Sequence, residues 1–155
     1  MTNNIEEKLV AAGIILPEAA APVASYVPAV ESGNLLYISG QVSSSNGKLI
    51  TGRLGEDMAL EQGQDAAKAC ALMVVAQIKK AAGSLDRVER IVKLGVFVNS
   101  TPDFHDHPKV ANGCSDMMEM IFGEAGKHAR AAVGVAALPM GVAVEVDAVV
   151  ALKPA

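Results

Sequence analysis

Apolar residues recur at helical spacing in three stretches of the chain and alternate with polar ones in several more. Residues 3–13 carry Ile5, Leu9 and Val10 on one side and stop at Gly13, which predicts a short helix. Residues 58–82 put Ala66, Cys70, Met73, Val74 and Gln77 near one face, with Gly83 as the stop. Residues 109–122 repeat the pattern with Val110, Cys114, Met117, Met118 and Ile121, a methionine stripe that reads as core. The stretch YVPAVESGNLLYISGQV, from Tyr26 to Val42, predicts two strands around a turn at Ser32-Gly33-Asn34. Pro28 has no N–H to donate and puts the first of them at a sheet edge. Asn46-Gly47 marks a tight hairpin. In RIVKLGVFVNS, Ile91, Lys93, Gly95 and Phe97 alternate with Val92, Leu94, Val96 and Val98, a further strand. GKHARAAVGVAALPMGVAVEVDAVVAL, residues 126–152, reads as a closing strand pair.

The predicted order, helix, three strands, helix, strand, helix, strand pair, belongs to the α+β class, a sheet with two main helices on one face. Two helices cover only one side of such a sheet, and a partly apolar open face predicts an oligomer. A length of 155 residues suits one domain, 1–155, in which residues 1–24 form the N-terminal helix and a Pro- and Ala-rich connector. That helix, with its short apolar stripe, reads as an accessory layer apart from any site. Hydrophobic residues are 51% and aromatic ones 3%, so Ala, Val, Leu, Ile and Met must build the core. A net charge of -4 and scarce aromatics give no footprint for nucleic acid. No basic leader and no apolar run long enough for a bilayer is visible, and the expected location is cytoplasmic. Cys70 and Cys114 lack CxxC spacing and read as buried thiols of a reducing compartment.

The closing segment carries charges where a valine- and alanine-rich strand pair makes them costly. A turn over Leu138–Gly141 would pair Ala137 with Val142, Gly134 with Glu145, Ala132 with Asp147 and Arg130 with Val149. Arg130, Glu145 and Asp147 would then share one face, above the small residues Ala132, Gly134 and Ala136. In one reading Arg130 is an ion-pair partner of Asp147 or Glu145, within the sheet or across a subunit contact. In the other it is a carboxylate clamp, since guanidinium offers a planar fork for a carboxylate. Glu145 nearby could then orient a water or exchange a proton.

ISGQV, the long helix, VFVNS followed by DF, and above all HARAAVGVAALPMGVAVEVDAVV resemble the YjgF/RidA family, also called L-PSP endoribonuclease-like. The resemblance runs from about Tyr26 to the end and points to a longer subgroup with its own N-terminal helix. It implies a chorismate-mutase-like mixed sheet and a homotrimer with clefts between subunits. It also implies deamination of 2-aminoacrylate-type enamines or imines to 2-keto acids and ammonia, without a cofactor. On that likeness Arg130 matches the arginine that holds a small carboxylate-bearing substrate, and Glu145 the acid linked to water activation. Tyr26 matches an aromatic beside the pocket, Ser39 and Gly40 the strand end lining it. Ala132 stands where better-known members have a cysteine, whose backbone helps place the attacking water.

Other candidates carry less. His105 and His107 in DFHDHP have no further ligand at metal-site spacing and read as turn histidines, so no metal is expected. His128 lies two residues before Arg130 and reads as a rim histidine making a hydrogen bond, with general acid–base chemistry as the alternative. Cys114 has no partner that would make it a nucleophile. Three functions remain in view: an enamine/imine deaminase, a non-catalytic binder of keto acids or related metabolites on the same trimer, and a ribonuclease, which this composition disfavours.

Overall fold

In the computed structural model, which describes residues 4–22 and 24–155, the helical periodicities become α1 (Ile5–Ala11), α2 (Leu60–Ala82) and α3 (His107–Phe122). The expected start of the first helix at residue 3 lies outside the described residues. Asn4 caps α1 by accepting the Glu7 N–H at 2.7 Å. Gln62 folds back onto the Ala59 N–H at 2.8 Å to close the first turn of α2. Gly83, at φ 85°, ends that helix as expected, because a left-handed residue costs glycine least. Both long helices begin or end within two residues of the positions their apolar stripes predict.

The strands are β1 (Ala29–Ser32), β2 (Leu35–Val42), β3 (Ser44–Ser45), β4 (Lys48–Leu49), β5 (Val88–Asn99), β6 (Ala129–Val135) and β7 (Val144–Leu152). Five of them form one sheet in the order β1-β2-β7-β5-β6. β1 is an edge strand, as Pro28 requires, and the Pro28 carbonyl accepts the Ser39 N–H at 2.9 Å. β3 and β4 make a separate two-stranded ribbon whose turn is Asn46-Gly47, both at positive φ. The sheet is mixed: β6 runs parallel to β5, and every other pair is antiparallel. α2 and α3 lie on one face, over a core of Leu36, Ile38, Leu94, Val96, Val146 and Val150 with the inner faces of the helices. The predicted α+β class and one-sided helix layer are what the chain adopts.

The closing strand pair is not a hairpin. β5 lies between β6 and β7, so the register that set Arg130 against Val149 does not form. Both edges of β7 are already taken, by β2 and β5, which suits its dense Val and Ala composition. Residues 136–143 instead cross over the end of β5, a longer span than a tight turn. Asn99, the last residue of β5, holds that crossing: its N–H donates to Ala143 O at 2.9 Å and its Nδ2 to Val142 O at 3.2 Å. β6 is left as an edge strand. The consequence for the charges is direct. Arg130 registers with Leu94 and, through it, with Ala148, both buried under the helices. Glu145 and Asp147 point to the other face, and the predicted ion pair of Arg130 with either acid inside one chain is excluded. The alternation of β5 is also shifted: a bulge between Ile91 and Lys93 turns Ile91 inward with Leu94 and Val96, and leaves Val92 exposed.

α2 and α3 approach closely at Gly113, where an added Cβ would overlap the Gln64 carbonyl oxygen. Gly113→Ala is therefore expected to destabilise by about 1–3 kcal/mol, the usual cost of overpacking. Thermal denaturation of the purified variant checks this, and an unchanged melting temperature contradicts it. On the opposite face of the sheet Val30, Tyr37 and Val133 are each about half exposed, at 52%, 46% and 47%. Phe97 and Val149 lie between them, partly exposed.

Candidate active site

Glu145 sits on β7 between Val42 of β2 and Phe97 of β5, on the open face of the sheet. Its carboxylate lies directly over Gly40, so close that a Cβ there would overlap Oε2. β2 bulges between Ile38 and Gln41 at this point, and the missing side chain leaves the room that the carboxylate occupies. Burial first, and the charge of Asp147 second, push the Glu145 carboxyl above its ordinary value. A carboxyl raised in this way holds a proton more tightly than an ordinary one.

Glu145 borders a cavity of about 810 Å³. Tyr26 and Gly40 line it too, with Leu16, Met73 and Met140 among the apolar walls. Ser39 does not face the cavity; its Oγ donates to Val27 O at 2.7 Å and ties the segment carrying Tyr26 to the bulge. The connector is a wall that the sequence reading leaves out. Ile15, Leu16, Pro17 and Ala20 border the cavity, and Ala20 O accepts from Gln77 Nε2 of α2 at 2.8 Å. Gln77 Nε2 also reaches Gln41 Oε1 at 3.2 Å, so buried amides link connector, helix and bulge. The helix α1 itself borders none of this space, but Leu9 is buried in the core.

Arg130 and Ala132 lie elsewhere, on the helix-covered side of the edge strand β6. Among the described residues, the Arg130 guanidinium is held by neutral groups. Nη1 donates to Asn112 Oδ1 at 2.9 Å and to Ser115 Oγ at 3.0 Å, and Nη2 makes a long contact of 3.4 Å with Pro108 O. Among the described residues, the ion pairs are Lys109 with Asp106 and Lys127 with Glu124, both on the surface. Nε and one Nη2 hydrogen of Arg130 remain for an outside acceptor. Asn112 and Ser115 were missed in the sequence. Their i, i+3 spacing on the polar flank of the α3 stripe is the signal that could have found them. Ala132 registers with Val96 and packs on the core.

His128 makes two hydrogen bonds, Nε2 with Ser115 Oγ at 2.8 Å and Nδ1 with Gly126 O at 2.6 Å. His107 opens α3 and is not a loop residue; its Nε2 meets Ser100 Oγ at 3.1 Å and its ring packs edge-on against Phe104. Cys114 is fully buried, and burial pushes its thiol up to about 12 against the pull of the Arg130 charge. A thiolate nucleophile there is disfavoured. Among the described residues no three metal-ligating side chains converge, and no helix is long and apolar enough to cross a membrane.

Residues 6–150 match the family model described as "YjgF/chorismate mutase-like, putative endoribonuclease". The chain is 55% identical over 143 residues to Protein TCP17 of Trypanosoma cruzi, covering 91% of this chain and 89% of that protein. It is 28% identical over 142 residues to the 2-iminobutanoate/2-iminopropanoate deaminase of Dermatophagoides farinae, covering 90% and 95%. The crystal structure of a protein from Shewanella oneidensis, described as a putative endoribonuclease, superimposes with a TM-score of 0.93 at 37% identity, covering 97% of this chain and 100% of that one.

Proposed function

Because the chain belongs to the YjgF/RidA family, we propose that it is an enamine/imine deaminase acting on small carboxylate-bearing imines. In this reading Arg130 holds the substrate carboxylate and Glu145 takes a proton from water as it adds to the imine carbon. Glu145 returns that proton to the nitrogen of the tetrahedral carbinolamine; its hydroxyl then gives up the second proton, also to nitrogen, as the C–N bond breaks, and a 2-keto acid and ammonia leave. No oxidant or reductant enters this balance, and none of the steps calls for a cofactor. The observation that carries the reading is the state of Arg130: a guanidinium fixed by neutral acceptors, with a pair of donors and no carboxylate engaged on it among the described residues.

Arg130 and Glu145 face opposite sides of one sheet, with β5 between their strands. They serve one substrate only if the β6 edge of one copy meets the Glu145 cavity of another. The apolar open face and the unpaired β6 edge support such an assembly, proposed here as a homotrimer with its sites between subunits. The name of the mite relative supports the chemistry. Ala132 at the position of the family cysteine favours one alternative, a trimer that binds keto acids without turnover. The test is to generate 2-aminoacrylate in situ from serine with a dehydratase and follow pyruvate. Release faster than the spontaneous rate supports the deaminase; an unaccelerated rate with calorimetric binding of pyruvate supports the binder.

The pH profile carries a second test. Glu145 must be ionised to act as a base, so the acid limb of kcat is expected above the ordinary glutamate range. Asp147→Asn removes one cause of the raised value and is expected to move that limb toward lower pH. A limb that stays in place or moves up contradicts the assignment.

A further inference from the structure

A chain of hydrogen bonds stands behind Arg130, and every member lies between Asn112 and Arg130. The Gly126 carbonyl can only accept, so the His128 Nδ1 at 2.6 Å from it carries the proton. In the neutral ring Nε2 is then an acceptor, and the Ser115 hydroxyl donates to it across 2.8 Å. The Ser115 oxygen is thereby turned with its lone pairs free, and it accepts one Nη1 hydrogen of Arg130 at 3.0 Å. Asn112 Oδ1 takes the other at 2.9 Å. The far anchor is closely packed, because a Cβ on Gly126 would overlap the Met118 carbonyl of α3.

We infer that His128 and Ser115 are positioning residues for Arg130: the Nδ1–H tautomer of His128 orients the Ser115 hydroxyl, which fixes the plane of the guanidinium. With both Nη1 hydrogens engaged, Nε–H and one Nη2–H form the edge that a carboxylate can take in bidentate fashion. A guanidinium free to swing would still attract a carboxylate but would hold it in no single geometry. This rests on the reading of Arg130 as the carboxylate clamp.

The test is a mutant cycle on the full chain. Ser115→Ala and His128→Phe are made in the wild type and in Arg130→Lys, with kcat, KM and melting temperature measured for each. Either substitution is expected to raise KM about fivefold, the size of one typical net hydrogen bond, with kcat little changed. The double variant should match the singles, and in Arg130→Lys the effect should largely vanish. An unchanged KM, or the same rise in the Arg130→Lys background, overturns the inference. Tautomer is read separately, by long-range proton–nitrogen correlation on the wild-type imidazole: Nδ1–H is expected, and an Nε2–H ring overturns the arrangement whatever the activity. If the wild type shows no turnover, pyruvate affinity by calorimetry replaces KM in the same cycle. A wild type that shows no turnover and binds no pyruvate would defeat the clamp itself, an outcome distinct from a cycle that shows no coupling.

Discussion

Glu145→Gln is expected to lower kcat for imine hydrolysis by about 10²–10⁴-fold, the range a positioned general base contributes. The amide fills the same space over Gly40, so substrate affinity should change little. Stability should not fall with activity. A carboxyl whose folded value is raised contributes stability below its unfolded value and loses it as pH rises through the folded one. At neutral pH the ionised Glu145 is therefore a small liability, and the glutamine variant should melt at the same or a higher temperature. The difference should close as pH falls below the ordinary glutamate range. Melting curves at neutral and acid pH, run beside the kinetics, check both parts; a variant that loses activity by unfolding would contradict the role of Glu145 as a base.

Arg130→Ala is expected to cost at least tenfold in kcat/KM, since a desolvated, hydrogen-bonded charge contact is worth about 2–5 kcal/mol. Arg130→Lys should fall between wild type and Ala, nearer to Ala, because a point charge cannot replace the fork. The fold should survive both changes. Among the described residues the Arg130 guanidinium hydrogen-bonds to Asn112, Ser115 and the Pro108 carbonyl, each within reach of solvent or of another partner. A lowered melting temperature with unchanged activity per folded molecule would instead make Arg130 a structural residue.

Much of this arrangement can be read from local pattern. Gly83 and the apolar stripes of α2 and α3 mark their helices, because both signals lie within a few residues of each other. Asn46-Gly47 and Pro28 do the same for the ribbon and the edge strand. The alternation Val144, Glu145, Val146, Asp147 puts the acids on one face, and that face is the open one. The partner of each strand is a different matter. Two runs joined through Leu138-Pro139 look like a hairpin, and nothing local tells that β5 enters between them. The contacts that go with that insertion join Asn99 to a crossing about forty residues away in sequence, and both edges of β7 are in use. The error moved Arg130 to the wrong side of the sheet relative to Glu145. The connector from Ile15 to Ala20 depends on such distant pairing and was hidden for the same reason, whereas Asn112 and Ser115 carry a local i, i+3 spacing whose meaning appears once β6 places Arg130 beside α3. Gly40 is an intermediate case: a glycine within a strand signals a bulge or a close approach, but the carboxylate it makes room for belongs to β7.

Arg130 and Glu145 can share a site only across two copies of the chain, and subunit complementation tests that most directly. Arg130→Ala and Glu145→Gln chains, each expected to be impaired alone, are co-expressed with different tags, and the mixed oligomers are isolated by sequential capture and assayed. In every mixed trimer that closes as a ring, one site of the three, about a third, draws an intact Glu145 from one variant and an intact Arg130 from the other. Recovery of deaminase activity on that order is the expected result. Mixed oligomers as inactive as the two parents would contradict a site built from Arg130 of one subunit and Glu145 of the next.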